Sequence, residues 1–269
     1  MPEKALYTKN ICSITDKAAD GFTRIYFGNE FCEHLIPSWE IIKEVLDTCH
    51  GSQRAFTLVT PMVTDKGIST LYSLFERLSD TPLMAGALYE VVANDIGVIQ
   101  LLNQKFPSLQ PIAGRLLSKQ RRDPRIIGCV DPFGKNDLPL LGHSQFSPLF
   151  IEYLHKKNVH RVEIDNLLQG INDTFIPEKL DVSLYFPYTY LTTSRMCFFN
   201  QSSTLVLKDA IFCRNHECQK YRHFELHHVR MPMPILLKGN TQFFENRVFP
   251  DDVQKWGINR IIYEKDIPL

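Results

Sequence analysis

The sequence predicts an α/β protein folded as an irregular (β/α) TIM-like barrel, one domain spanning residues 1–269. Strand-length runs rich in β-branched residues alternate with segments of helical period. About eight such strands occur, a barrel's number, and several are continuously apolar, as strands covered on both faces are. A doubly wound open sheet shares the alternation and is the alternative.

The strands are expected at Thr23 to Phe27, Arg54 to Val59, Leu88 to Ala93, Pro111 to Leu116, His160 to Ile164, Val182 to Phe186, Pro234 to Leu237 and Asn259 to Tyr263. Between the first two, Ser38 to Cys49 sets Trp39, Ile42, Val45, Leu46 and Cys49 on one helical face, with Pro37 in the first turn. Residues 66–79 and 95–105 repeat that pattern. Two stretches break the rhythm: 117–148, which mixes basic residues with proline and glycine, and the cysteine-rich loop 187–233. Segments this long without periodicity inside a compact domain are usually functional.

Thirty basic and thirty acidic side chains balance, so any anion site must be local. No stretch approaches the roughly 20 apolar residues of a membrane helix, and no membrane partner is expected. Residues 1–22 carry charges throughout and lack a signal-peptide core, so a cytoplasmic, reducing location is expected. Seven cysteines is an odd number, which a closed disulfide framework cannot use up.

Three cysteines cluster as Cys197-x15-Cys213-x4-Cys218, and Cys32 follows the first predicted strand. Four soft thiolates suit a 4Fe-4S cluster or a structural zinc, and the irregular spacing favours the cluster over paired zinc knuckles. Arg195, Arg214, Lys220 and Arg222 flank the trio and would offset thiolate charge. Burial of the cysteines as small hydrophobes is the bland alternative. His216 falls between two proposed ligands; His227 and His228 are adjacent and point apart, so joint ligation is not expected of them.

Barrel function sits at the carboxyl ends of the strands. The residues there are Asn29 and Glu30 with Cys32, then Thr60-Pro61, Asn94-Asp95, Arg115, Asp165-Asn166, the stretch to Arg195, and Lys238 with Asn240. Glu30 or Asp95 would be the catalytic proton acceptor, with Glu163 a further acid. Asn29, Asn94, Arg115, Arg195, Lys238 and Asn240 would contact substrate, the arginines holding carboxylates. The run from Arg115 to Arg125 puts five cations into eleven positions and would hold a carboxylate-rich ligand, a phosphorylated ligand or RNA; a solvated loop face is the alternative. No Gly-x-Ser-x-Gly elbow, His-Glu-x-x-His helix or Gly-x-Gly-x-x-Gly fingerprint occurs.

The segments Tyr26-Phe-Gly-Asn-Glu-Phe-Cys32, Glu90-Val-Val-Ala-Asn-Asp-Ile-Gly97, Thr193-Ser-Arg-Met-Cys197 and Leu237-Lys-Gly-Asn-Thr-Gln242 resemble the collagenase-like peptidase family U-thirty-two. They are most similar to its UbiU/UbiV-type iron-sulfur proteins of oxygen-independent hydroxylation. The resemblance covers roughly residues 23 to 263 and rests on the order of its motifs. It implies a barrel-like fold and a 4Fe-4S cluster on Cys32, Cys197, Cys213 and Cys218. It further implies hydroxylation of a small molecule or RNA without oxygen, with prephenate as the oxygen source, and a heterodimer with a related family member. Within that heterodimer a noncatalytic iron-sulfur subunit is one alternative, and a peptidase, as the family name has it, is another. The basic insert at 117–140 and longer spacings between the last cysteines depart from the family pattern and leave the substrate open.

Overall fold

The computed structural model describes the chain apart from residues 17–18, 83–87, 119, 130–146, 171–179, 196, 198–212, 214–215, 221–222 and 251–252. Arg214, Arg222 and Lys119, and with them residues 198–212 of the cysteine-rich loop, therefore lie outside the described residues.

The first seven strands are β1 (Glu3–Thr8), β2 (Arg24–Gly28), β3 (Ala55–Thr60), β4 (Glu90–Ala93), β5 (Gln110–Ala113), β6 (Arg161–Asp165) and β7 (Asp181–Phe186). Four more follow, β8 (Tyr188–Thr193), β9 (Phe224–Leu226), β10 (Ile235–Lys238) and β11 (Thr241–Glu245), before the last, β12 (Ile258–Glu264). Strands β1 to β7 and β12 form a closed, parallel barrel in which β12 joins β7 to β1. Strands β8 to β11 form a separate antiparallel sheet, order β8-β11-β10-β9, inserted between the last two barrel strands.

Two expectations change here. Pro234 to Leu237 is a strand, β10, but it belongs to the antiparallel sheet, because its partners are Phe224 to Leu226 and Thr241 to Phe243 rather than barrel strands. The missing barrel strand is β1, which lies ahead of every strand read from the sequence.

Helices α1 (Cys12–Thr15), α2 (Trp39–Gly51), α3 (Asp65–Ser79), α4 (Ile96–Lys105) and α5 (Pro148–Lys156) connect the early strands. Helix α2 buries Ile42, Val45, Leu46 and Cys49, and α3 buries Leu71, Leu74, Phe75 and Leu78. That i, i+3, i+4, i+7 spacing makes one apolar stripe per helix, which packs on the outward faces of the strands. Ser38 is the residue capping α2, so Pro37 stands before the helix and not in its first turn.

The barrel interior is unusually polar. Side chains alternate along a strand, and the inward set runs Glu3, Ala5, Tyr7 on β1; Arg24, Tyr26, Gly28 on β2; Arg161, Glu163, Asp165 on β6; and Arg260, Ile262, Glu264 on β12. At the amino-terminal end, Arg260 and Arg24 are paired with Glu3 and Glu90 at 2.6–3.0 Å. Between the ionic layers Tyr26, Val59, Val92, Ile112, Tyr185 and Ile262 pack together, with the buried carboxyl of Glu163 accepting from the Tyr185 hydroxyl. A second ionic layer closes the carboxyl end.

Candidate functional site at the barrel mouth

The carboxyl end of the barrel is stoppered by Arg115, which is fully buried. Its Nε donates to both oxygens of Glu30, at 2.9 and 3.0 Å. Nη1 donates to Asp165 Oδ1 (3.0 Å) and to the Tyr188 carbonyl (2.9 Å), and Nη2 to Glu30 Oε2 (2.8 Å) and Glu264 Oε1 (2.7 Å). All five guanidinium N–H groups are thus used by the protein. The guanidinium also lies 3.7 Å from the centre of the Tyr185 ring. Arg122 completes the layer, donating from Nε to Asp165 Oδ2 (2.8 Å) and from Nη2 to the Arg115 carbonyl (3.0 Å).

Three carboxyls thus share two guanidinium groups. Burial pushes the Glu30 carboxyl up, against the pull of Arg115, and pushes Glu264 up to about 8. Burial alone would lower the Arg115 pKa, but the surrounding Glu264, Glu30 and Asp165 hold it well above the ordinary value. This layer is a fixed support in which Glu30 and Arg115 are closed to solvent. The basic run is divided accordingly: Arg115 and Arg122 turn inward, whereas Arg121 and Arg125 are exposed and Arg125 pairs with Asp123.

The asparagines expected at the rim fix loops. Asn29 Oδ1 accepts from the backbone N–H groups of Phe31 (3.0 Å) and Cys32 (2.8 Å), which sets the turn that presents Cys32. Asn94 donates to the Thr60 carbonyl and accepts from Leu116 N–H. Asp95 caps α4, accepting from Gly97 N–H at 2.7 Å. Lys238, Gly239 and Asn240 stand at the β10–β11 hairpin. Asn240 Nδ2 ties that turn to the mouth by donating to the Phe31 carbonyl (2.8 Å) and the Ser194 carbonyl (2.5 Å). Gly239 has φ +57°, and a Cβ there would strike Leu269 at 2.1 Å and meet Cys218 at 3.4 Å, so the turn needs glycine.

Beside this stopper the thiols interact. Cys218 is buried and is lowered to about 6, chiefly by a hydrogen bond with Cys197, helped by Gln219 and by the charges of His216 and Lys238. Gln219 Nε2 donates to Cys218 Sγ at 3.5 Å. Burial pushes Cys32 up to about 11, and the charges of Cys218 and Cys213 add to that rise. Lys9 is lowered to about 7 by burial and by its like-charged neighbour Lys238, and burial lowers Lys238 as well. His216 holds a left-handed backbone (φ +50°) next to Cys218. Cys12 and Cys49 stand apart, one exposed and one buried on α2. Among the described residues, no three or more His, Cys, Asp or Glu side chains are already set around one metal-holding point.

A cavity of about 110 Å³ opens beside Cys32, lined by Phe31, Glu33, Met62, Leu116, Ser194 and the exposed Arg195 among others. Of the expected substrate contacts, Arg195 is the one whose cation faces open space there.

Sequence reasoning placed Glu30, Arg115 and the cysteines in one region but did not pair Glu30 with Arg115. It singled out neither Arg122 nor Glu264. The available signal was the Arg161-x-Glu163-x-Asp165 alternation, which puts three charged residues on the face that a barrel turns inward.

No family model matches the chain, and no curated protein matches it. Its fold is similar to a solved structure, that of the U32 peptidase Mk0906. The TM-score is 0.54 at 9% identity, over 100% of this chain and 95% of that one. At that identity the likeness is one of fold. No helix among the described residues is long and apolar enough to cross a membrane.

Proposed function

We propose that this chain is a barrel protein of the U-thirty-two peptidase type. In this reading it holds a 4Fe-4S cluster on Cys32, Cys197, Cys213 and Cys218 and serves an oxygen-independent hydroxylation or a related redox step. The observation that carries the reading is the charge balance around Cys218. Thiols from separate segments of the chain interact there, beside two partly buried lysines, Lys9 and Lys238, whose pKa burial lowers and the Cys218 charge raises. A thiolate-bound anionic group is the chemistry that such a pocket accommodates. The donor set fits in kind: Cys197 hydrogen-bonds Cys218, whose pKa is lowered to about 6, Cys32 feels the charges of Cys218 and Cys213, and ligation would draw the sulfurs together as the remaining protons leave. Zinc is the alternative occupant of the same sulfurs.

When bound, a 4Fe-4S cluster supplies one-electron chemistry tuned by the charge and hydrogen bonds around its sulfurs. The chain's residues provide the rest. Asn29 fixes the backbone that carries Cys32, and Gln219 donates to the Cys218 sulfur. Lys9 and Lys238 offset negative charge. Arg195 offers a forked donor for a carboxylate-bearing substrate in the adjoining cavity, while Phe31, Met62 and Leu116 line it with apolar surface. A hydrolytic reading has less to work with, since Glu30 is enclosed by Arg115 and Asp95 is engaged in capping.

The test is iron, sulfide and zinc analysis with a visible spectrum on protein purified without oxygen. About four irons and four sulfides per chain are expected, with absorption lost in Cys197→Ser. One zinc per chain, or iron and absorption unchanged in Cys197→Ser, overturns the reading.

A further inference from the structure

We propose that Asn240 is the positioning residue of the cysteine site: its side-chain amide holds the segments that carry Cys32 and Cys197 at the spacing their sulfurs need to share one metal centre with Cys218. This rests on the reading of the four cysteines as ligands of one centre. It is the same whether that centre is a 4Fe-4S cluster or zinc.

Cys32 and Cys197 arrive from different parts of the fold. The Cys32 turn follows barrel strand β2, whereas Cys197 follows β8 of the antiparallel sheet, whose continuation bonds Ser194 N–H to the Asn240 carbonyl at 3.1 Å. The Asn240 amide joins the two. Its Nδ2 donates to the carbonyl of Phe31, the residue before Cys32, at 2.8 Å, and to the carbonyl of Ser194, three residues before Cys197, at 2.5 Å. Both N–H groups are thereby used. Asn240 Oδ1 accepts from the Thr241 hydroxyl (3.1 Å), which is itself 2.8 Å from the Thr193 hydroxyl, so the amide is held the right way round. The rings of Phe31, Tyr190 and Phe243 pack at the same junction. Apolar packing keeps the two elements together without fixing direction, whereas two hydrogen bonds from one planar amide set their spacing.

The β10–β11 turn does not need asparagine for its backbone. Gly239, not Asn240, takes the left-handed conformation there, so the side chain is what the position uses. Gly239 also brings the third cysteine to the same turn, since a Cβ on it would lie 3.4 Å from the Cys218 Cβ. Asn240 is buried, and losing its donors would leave two carbonyl oxygens facing an acceptor or nothing.

The test is the rate at which EDTA strips iron or zinc from the full chain purified without oxygen. Asn240→Asp keeps the shape but turns the donating nitrogen into an oxygen facing two carbonyl oxygens. It should lose metal about tenfold faster than wild type or more, the size of effect that removing a supporting partner has on metal affinity. Asn240→Ala removes the donors without adding an acceptor; it should lose metal severalfold faster, and it serves if the aspartate variant does not fold. Asn166→Asp is the matched control, because Asn166 Nδ2 donates to the Asn246 and Val248 carbonyls at 3.3 and 2.9 Å, neither of which adjoins a cysteine in the chain. It should lower the melting temperature yet keep the wild-type rate of metal loss. Metal loss at the wild-type rate in both Asn240 variants, or equal acceleration in Asn166→Asp, overturns the positioning role alone. A wild-type chain that holds neither iron nor zinc overturns the reading of the cysteines and the positioning role together.

Discussion

Glu163 offers the sharpest test of the barrel's internal chemistry. It projects from β6 into the middle of the barrel, fully buried. Tyr185 donates its hydroxyl to Oε2 at 2.8 Å, while Oε1 has no partner among the described residues. Burial pushes its carboxyl up to about 8, with Glu30 adding to the rise, against the opposing pull of Tyr185, Tyr26 and Arg260. The folded protein therefore carries Glu163 as a neutral acid at pH 7.

In the unfolded chain a glutamate titrates near ~4.3. Between that value and about 8 the folded state holds a proton that the unfolded state has lost. Stability from this group is thus complete below about pH 4.3 and falls as the pH rises, by about 1.4 kcal/mol per unit, until the folded carboxyl itself ionises. From pH 5 to pH 8 the loss is on the order of 4 kcal/mol, comparable with the whole stability of a marginal domain. Glu163→Gln keeps the shape and an acceptor for Tyr185 but cannot titrate. Urea unfolding followed by circular dichroism at pH 5, 6, 7 and 8 should show the wild type losing stability with pH more steeply than the variant, by about 1 kcal/mol per unit. Glu264 contributes a slope to both proteins and cancels in the difference. Parallel slopes for the two proteins would show that Glu163 is ionised in the fold and would refute the reasoning.

Three further outcomes follow from the same structure. Arg115→Met leaves Glu30, Asp165 and Glu264 buried with only Arg122 as counter-charge; thermal and urea unfolding should show a loss of about 3–5 kcal/mol, greater at pH 8 than at pH 6 because the stranded carboxyls can protonate only at the lower pH. Gly28→Ala places a Cβ 2.2 Å from the Val59 carbonyl oxygen at φ +137°; either the β2–β3 pairing shifts or the protein loses several kcal/mol, on the order of 3, and a melting temperature within a degree of wild type would contradict it. Asn29→Ala removes the acceptor for two backbone N–H groups at the Cys32 turn; iron retained after anaerobic purification should fall at least severalfold while the far-ultraviolet spectrum is kept.

Seven of the eight barrel strands were legible because their outward faces are apolar and their ends are marked by turns. Strand β1 was not, since Glu3-Lys4-Ala5-Leu6-Tyr7-Thr8 has an apolar run of only three residues, Ala5 to Tyr7, and its burial arises from β2 and β12 on either side. Pro234 to Leu237 took its place because four apolar residues look alike in any sheet; local composition signals a strand, but not its partner. The same limit hid the ionic layers. Arg115 meets Glu30, Asp165 and Glu264 across separations of 85, 50 and 149 residues, which no periodicity encodes. The cysteines were legible as a chemistry, because thiol spacing survives in the sequence, and Lys238 was legible at a strand end, while Lys9 was not, because it follows the unrecognised strand β1.

The stopper also explains why the candidate chemistry lies off the barrel axis. An open barrel mouth would put a ligand over the strand ends, against Glu30, Asp165 and Glu264. Here those carboxyls are occupied by Arg115, which also grips the Tyr188 carbonyl, while Glu264 accepts from Tyr188 N–H at 3.0 Å. The stopper therefore anchors the first residue of the antiparallel sheet to the barrel. That sheet then delivers Ser194, Arg195 and the Lys238–Asn240 turn to the Cys32 loop, with Asn240 bonding both Phe31 and Ser194. Closing the axis and building the lateral cavity are consequences of one buried network, so a change that loosens Arg115 should disturb the thiols and the cavity beside Cys32 although it touches none of the four cysteines.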